Sequence, residues 1–274
     1  MQDFATHLRD KLDHLPSAPG VYIFHGREGD LPVYIGKSIN IRSRVLSHLR
    51  TEDEATMLRQ TQRISFERTA GEVGALLLES HLIKTQHPLF NQRLRRTRQL
   101  CSWHVTSTVP ELVYARDVNF AQQGQLFGLF TSRRSAEERL MGLADEQGLC
   151  YGVLGLEKLS QGKPCFRAQL RQCAGACCGR ESLQDHHTRL LAALADLQVI
   201  TWPHAGAVAL HEQHEDMQAY HVVRNWCHLG TVDDLTQAKA LDQVNAGFDA
   251  DAYKILVKPL LEAQHNGQTT LIAL

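Results

Sequence analysis

Two tripeptides, Gly20-Val21-Tyr22 and Tyr34-Ile35-Gly36, each sit in a short β-favouring run. The segment between them, Gly26-Arg27-Glu28-Gly29-Asp30, is rich in turn formers. Together they predict a hairpin with a longer loop. Side chains alternate faces along a strand, so Tyr22 and Tyr34 are expected together, opposite Val21 and Val33. Ser38 and Asn40 are candidate N-caps for a helix running to about Arg50. On that helix Ile41, Val45 and Leu49 form an apolar stripe, with Arg44 and His48, four residues apart, beside it. A hairpin feeding such a helix gathers two phenols, Lys37, Arg44 and His48 around one cleft.

A second helical pattern opens at Ala70-Gly71-Glu72, runs through Ala75 to Ile83 and ends before Pro88. Glu79 lies on or next to its buried stripe. An unpaired buried carboxylate costs on the order of several kcal/mol, so Glu79 should be paired, neutralised or bound to a metal. The bland alternative is an ion pair with Arg44 or Lys84. Asn91 follows a Pro-Leu-Phe turn and is expected to hydrogen-bond phosphate, to hold the adjoining loop, or merely to serve the turn. Taken singly, the tyrosines read equally as strand aromatics in a core.

As a set, these residues suit phosphodiester hydrolysis. A phenol titrates near pH 10, so a tyrosine base at neutral pH needs a cation or metal-polarised water beside it, and Lys37 is placed for that. One carboxylate holding one metal leaves room for waters and a phosphate oxygen, which suits Mg²⁺. Arg44 offers forked donors to phosphate oxygens as charge develops.

The 274-residue chain carries a net charge of −1, which alone argues against nucleic acid. The distribution says otherwise. Residues 1–110 hold 15 Lys and Arg against 11 Asp and Glu, and the remainder 14 against 19. Arg93, Arg95, Arg96 and Arg98 follow Asn91 and form a cluster able to track a phosphate backbone, or else an ordinary solvated loop. No apolar run reaches transmembrane length and the N-terminus lacks a signal pattern, so a soluble, cytoplasmic protein is expected.

Of seven cysteines, Cys101 and Cys227 are isolated, whereas Cys150, Cys165, Cys173, Cys177 and Cys178 cluster. Clustered thiols in a cytosolic chain suggest metal rather than disulfides. Four thiolates on this Gly-rich segment suit tetrahedral zinc or an iron–sulfur cluster, and spacing does not separate the two.

Short strands are expected at 103–105, 112–115 and 125–130 and a helix at 133–147. A further helix is expected at 186–197, strands at 206–210, 220–226 and 253–258, and a polar helix near 235–244. The fold class read from the chain is α+β.

Gly20-Val21-Tyr22, Tyr34-Ile35-Gly36-Lys37-Ser38, the Ile41 to Val45 run, the helix carrying Glu79, and Leu89-Phe90-Asn91 jointly resemble the GIY-YIG nuclease domain of the UvrC type. The resemblance implies a small mixed sheet flanked by helices, hydrolysing one DNA strand. It makes Glu79 the metal-binding side chain for Mg²⁺ or Mn²⁺, gives Arg44 the transition state, and has Tyr22 or Tyr34 activate water with help from Lys37. UvrC proteins usually carry tyrosine where this chain has His48. The segment from Lys163 to Cys177, with Cys150 upstream, is similar to the cysteine segment of UvrC, which implies a [4Fe–4S] cluster on Cys150, Cys165, Cys173 and Cys177.

No RNase H-like nuclease or tandem helix-hairpin-helix is recognisable, so the whole chain resembles the short homologues of UvrC. The expected organisation is a nuclease domain at 1–100, a connecting α/β region with the four-cysteine cluster at 101–199, and a C-terminal α+β module at 200–274. The resemblance implies incision on the 3′ side of bulky lesions in damaged double-stranded DNA bound by UvrB, with UvrA upstream. The alternative is a stand-alone endonuclease for flaps or branched DNA.

Overall fold

The computed structural model describes residues 8, 12–27, 31–91, 100–159, 163–241, 247–263 and 270–274. Arg93, Arg95, Arg96 and Arg98 lie outside the described residues. The chain divides into two compact units, one of residues 1–97 with 204–274, the other of 98–203.

The first unit begins with strands β1 (Gly20–His25) and β2 (Pro32–Ser38), the expected hairpin. Helix α1 (Ile41–His48) starts at Asn40, whose side chain accepts the Ser43 N–H at 2.9 Å. Helix α2 (Ala55–Gln60) and strand β3 (Arg63–Arg68) follow, then helix α3 (Glu72–Gln86). Strand order is β2-β1-β3 and both pairings are antiparallel. The sheet expected to be mixed is therefore antiparallel among the described residues. Two helices carry the chain from β2 across β1, so β3 runs in the same direction as β2.

Register fixes the faces. Tyr22 lies opposite Gly36, and Tyr34 opposite Phe24. Tyr22, Phe24 and Tyr34 thus share a face, packed with Ile41, Val45, Met57 and Leu58. Val21, Ile23 and Ile35 occupy the other face, against Leu78, Leu82 and Ile83 of α3. Gly36 has a steric reason: a Cβ there would sit 2.3 Å from the Tyr22 hydroxyl.

The outer edge of β2 is not left open. The Val33 carbonyl takes the Phe90 N–H at 2.9 Å, and the Asn91 side chain bonds both the N–H and C=O of Ile35 at 2.9 and 2.8 Å. Glu79 of α3 accepts the Lys37 N–H at 3.0 Å. An edge strand normally presents these groups to solvent or to another chain; here they anchor the two residues placed in the site by the sequence.

The second unit holds strands β4 (Cys101–His104), β5 (Glu111–Tyr114) and β6 (Leu126–Phe130) in antiparallel order β5-β4-β6. Helix α4 (Arg133–Gln147) packs on them, its first turn taking the Trp103 indole N–H through the Ala136 carbonyl at 3.1 Å. The short helix α5 (Phe166–Gln169) and α6 (Leu183–Leu194) complete it. The helix expected at 186–197 starts earlier because Ser182 caps it, accepting the Asp185 N–H at 3.0 Å.

The C-terminal part of the first unit contains β7 (Val208–His214), β8 (Met217–Arg224), β9 (Cys227–Val232), α7 (Leu235–Leu241), α8 (Ala250–Ala263) and β10 (Thr270–Ala273). Sheet order is β10-β7-β8-β9, antiparallel throughout. Residues 253–258, expected as a strand, lie inside α8. Ala250, Tyr253, Leu256 and Leu260 recur at helical spacing and are, with Ala252, its buried residues. Asp249 also caps the helix, accepting the Asp251 and Ala252 N–H groups at 2.8 and 3.1 Å. Among the described residues no helix is long and apolar enough to cross a membrane.

Candidate active site

A cleft of about 450 Å³ is lined by Tyr22, Tyr34, Lys37, Ser38, Ile39, Arg44, Glu72 and Glu79. β1 and β2 supply the phenols, whose rings lie 6.2 Å apart between centroids. α1 supplies Arg44 and α3 supplies Glu79. Glu79 and Arg44 therefore share one wall with the paired phenols.

Electrostatics follows from the burial of this polar group. Burial pushes the Tyr22 phenol far above the usual tyrosine range; the charge of Tyr34 adds to this and Arg44 opposes it. Burial also raises Tyr34, with Glu79 adding to the rise. Burial works against the charge on Arg44, yet Tyr22 and Tyr34 hold its pKa above the ordinary value. Glu79 is raised by burial, and the Lys37 N–H opposes that only partly. A half-buried carboxylate with one backbone donor is undercompensated, and its remaining oxygen lone pairs suit a hard cation.

Lys37 departs from expectation in detail. Its ammonium pairs with Glu72 at 2.5 Å, while its backbone N–H serves Glu79. Glu72 was not singled out in the sequence, because an acidic residue in a first helical turn is commonplace. The pairing of Glu79 with Lys84 does not occur: Lys84 bonds Asp251 at 2.8 Å and Asp249 at 3.5 Å.

His48 is buried. Its Nε2 lies 2.6 Å from the Tyr22 hydroxyl and its Nδ1 contacts the Glu54 carboxylate. Burial lowers the His48 pKa; Glu54 opposes the shift and Arg44 adds to it. Glu54 is a second residue that sequence reasoning missed. Its only signal is the acidic run Glu52-Asp53-Glu54 just beyond a histidine that needs a partner.

In the other unit, the sulfurs of Cys150 and Cys165 are 3.6 Å apart, and those of Cys165 and Cys173 3.9 Å. The Cys150, Cys165 and Cys177 sulfurs all lie within 4.8 Å of one another. Burial pushes the Cys173 thiol up to about 11 and the Cys177 thiol up to about 12. Cys178 is exposed and turned to other partners, donating to the Gly175 carbonyl at 3.2 Å and accepting from Arg180 Nε at 3.3 Å. Buried His186 fixes the first thiol, its Nε2 accepting the Cys150 N–H at 3.0 Å.

The chain matches three family models: the UvrC-like GIY-YIG domain over residues 18–92, the UvrC/Cho excinuclease middle domain over 100–196, and the Excinuclease Cho C-terminal domain over 207–274. Excinuclease cho of Escherichia coli strain K12 is 57% identical over 263 residues, covering 96% of this chain and 89% of that protein. The Salmonella typhimurium strain LT2 protein of the same name is also 57% identical, covering 96% of this chain and 90% of its own. A crystal structure of the GIY-YIG N-terminal endonuclease domain of UvrC from Thermotoga maritima, bound to its catalytic magnesium, is 29% identical with a TM-score of 0.29. It covers 33% of this chain and 99% of its own. With all three domain matches in order and over half its residues shared with these relatives, the chain belongs to the Cho excinucleases, GIY-YIG endonucleases of DNA repair.

Proposed function

We propose that this endonuclease incises the damaged strand on the 3′ side of bulky lesions, on DNA presented by UvrB after UvrA and UvrB have located the damage, in the cytoplasm. The carrying observation is the shared cleft of Glu79, Arg44, Tyr22 and Tyr34. Family membership supports the excision-repair setting; the dependence on UvrB comes from the resemblance to UvrC. Arg93, Arg95, Arg96 and Arg98 extend the DNA contact along the strand.

The residues fit a single Mg²⁺ or Mn²⁺. Glu79 would hold it, since its carboxylate faces the cleft undercompensated, and the ion supplies Lewis acidity at the scissile phosphate. Arg44 binds non-bridging oxygens and neutralises charge as the phosphorane-like transition state forms. Tyr22 or Tyr34 accepts the proton of the attacking water. Lys37 holds Glu72 at the cleft through its ammonium and fixes Glu79 through its backbone N–H. Asn91 holds β2, and with it Tyr34, in place.

Cys150, Cys165, Cys173 and Cys177 fit a metal centre, because a Gly-rich segment brings the first, second and fourth thiols together and sets Cys173 beside Cys165. The resemblance makes that centre a [4Fe–4S] cluster. A second reading is one tetrahedral zinc, supported by the mutual approach of the Cys150, Cys165 and Cys177 sulfurs within 4.8 Å and by Cys173 lying 3.9 Å from Cys165. Around an ion with Zn–S of about 2.3 Å, the tetrahedral S···S edge is about 3.8 Å.

The deciding experiment is an incision assay on a lesion-bearing duplex with Mg²⁺, with and without UvrA and UvrB. Cutting that requires both proteins supports the proposal. Efficient cutting of flaps or branched DNA by the isolated protein would replace it with a stand-alone structure-specific endonuclease.

A further inference from the structure

We propose that Tyr22, His48 and Glu54 form a proton relay. Tyr22 takes a proton from the attacking water while passing its own to His48, and Glu54 positions His48 for that transfer. This rests on the nuclease reading above and identifies where the water's proton goes.

The geometry is directional. Glu54 is acceptor-only when ionised, so the Nδ1 of His48 that contacts it carries the hydrogen. The neutral ring then has a free lone pair on Nε2, which accepts the Tyr22 O–H at 2.6 Å. Tyr22 is thus a donor toward His48, while its oxygen takes a hydrogen bond from Arg44 and keeps a lone pair for the cleft. Among the described residues four titratable or charged groups face His48: Tyr22 from β1, Tyr34 from β2 with ring centroids 5.5 Å away, Glu54 from the turn after α1, and Arg44 from α1 itself. Glu54 is the one carboxyl group among them, and it touches the nitrogen that must stay protonated.

The step balances. The O–H bond of water breaks as its proton goes to the Tyr22 oxygen. The Tyr22 O–H bond breaks as its proton goes to Nε2, the freed electron pair of the water oxygen forms the new P–O bond while the scissile P–O bond breaks, and the departing oxygen takes a proton from solvent. Tyrosine ends as it began, neutral, and the charge created is an imidazolium beside a carboxylate. A resting phenolate is never required, which matters because burial disfavours one. The base of the relay is then an imidazole, whose ordinary range lies near neutrality. Tyr34 meets the relay through its hydrogen bond to Tyr22, and Glu79 lies beside it.

Glu54 is a positioning residue, so its test reads the pH profile as well as the rate. In single-turnover incision, Glu54→Gln should lower the maximal rate about tenfold or more, leave DNA affinity unchanged, and move the acidic limb of the profile to lower pH. Losing the carboxylate makes His48 a weaker base, which sets that direction. His48→Gln, which accepts the Tyr22 hydrogen bond and carries no proton, should be as inactive as His48→Ala. Adding Glu54→Gln to either variant should change nothing further. Wild-type rate and profile for Glu54→Gln, or an undiminished effect in the His48→Gln background, overturns the relay. Arg44→Ala and Glu79→Ala serve as parallel controls. If they cut normally, the nuclease assignment of the cleft fails; if they are dead while Glu54→Gln is normal, the relay alone fails.

Discussion

Glu212 closes the N-terminus of the helix that carries Glu79: its carboxylate takes the N–H of Gly74 at 2.7 Å, and that of Val73 at 2.9 Å. The first N–H groups of a helix have no partner within it and face outward with partial positive charge. Gly71, the cap residue of α3, makes no side-chain bond there, so a strand from the C-terminal part supplies the acceptor. The glycines make the approach possible, since a Cβ at Gly71 would lie 2.3 Å from Glu212 Oε1. His221 completes the arrangement, 2.9 Å from Glu212 Oε2.

This capping should make stability acid-sensitive. Burial raises the Glu212 pKa, but His221 and the Gly74 N–H outweigh it, and the folded value is depressed. Stability from a depressed carboxylate is fully present above its unfolded value and is lost as pH falls through the folded one. Glu212→Gln should therefore cost about 2 kcal/mol near neutrality and progressively less below about pH 4. Thermal melts of both proteins across that range measure it. A constant difference at all pH values contradicts the assignment.

Arg44→Ala and Glu79→Ala should each lower the incision rate by at least about a hundredfold, with DNA affinity nearly unchanged. Both side chains act on the reacting phosphate rather than on the flanking duplex. Single-turnover rates beside equilibrium binding separate the two effects. Wild-type rates from either variant contradict the role.

Gly36→Ala tests the hairpin register. The new Cβ would fall 2.3 Å from the Tyr22 hydroxyl and 2.8 Å from the Tyr34 ring, so both phenols must shift. Overpacking of this kind costs about 1–3 kcal/mol. Displacing Tyr22 also breaks its 2.6 Å bond to His48. Activity should fall further than the melting temperature implies, and Tyr22→Phe/Gly36→Ala should recover neither, because the Tyr22 ring carbon that bears the hydroxyl itself lies 2.5 Å from the added Cβ.

The cleft was legible where the local pattern specifies geometry. Two β runs around a turn, then an Asn-capped stripe, fix Tyr22, Tyr34 and Arg44 relative to one another through short-range rules. Glu79 was readable because a carboxylate on an apolar stripe demands a partner. Glu54, Glu72 and Glu212 were not, since each is an ordinary surface acid until tertiary folding brings a histidine, a lysine or a helix end to it. Glu212 reaches Gly74 across 138 residues of sequence. The strand expected at 253–258 failed for a related reason: branched residues favour strands only weakly, and helical burial of Tyr253, Leu256 and Leu260 prevailed.

Four cysteines gathered on glycine-rich chain, three of them buried, with sulfurs as close as 3.6 Å, make little sense as spectators. Burial alone does not explain such convergence, since isolated cysteines such as Cys101 are buried without meeting one another. Protein purified without oxygen should carry one metal centre per chain, read by elemental analysis. About four irons with a brown absorbance band identifies the cluster, and one zinc without colour identifies the tetrahedral ion. Cys150→Ser, Cys165→Ser, Cys173→Ser or Cys177→Ser should each lose the metal and lower the melting temperature. Cys178→Ser should keep it, because that sulfur faces Gly175 and Arg180 instead. Metal lost from Cys178→Ser and retained by Cys177→Ser would exchange the two assignments, and a stable protein with neither metal nor any loss on substitution would remove the centre altogether.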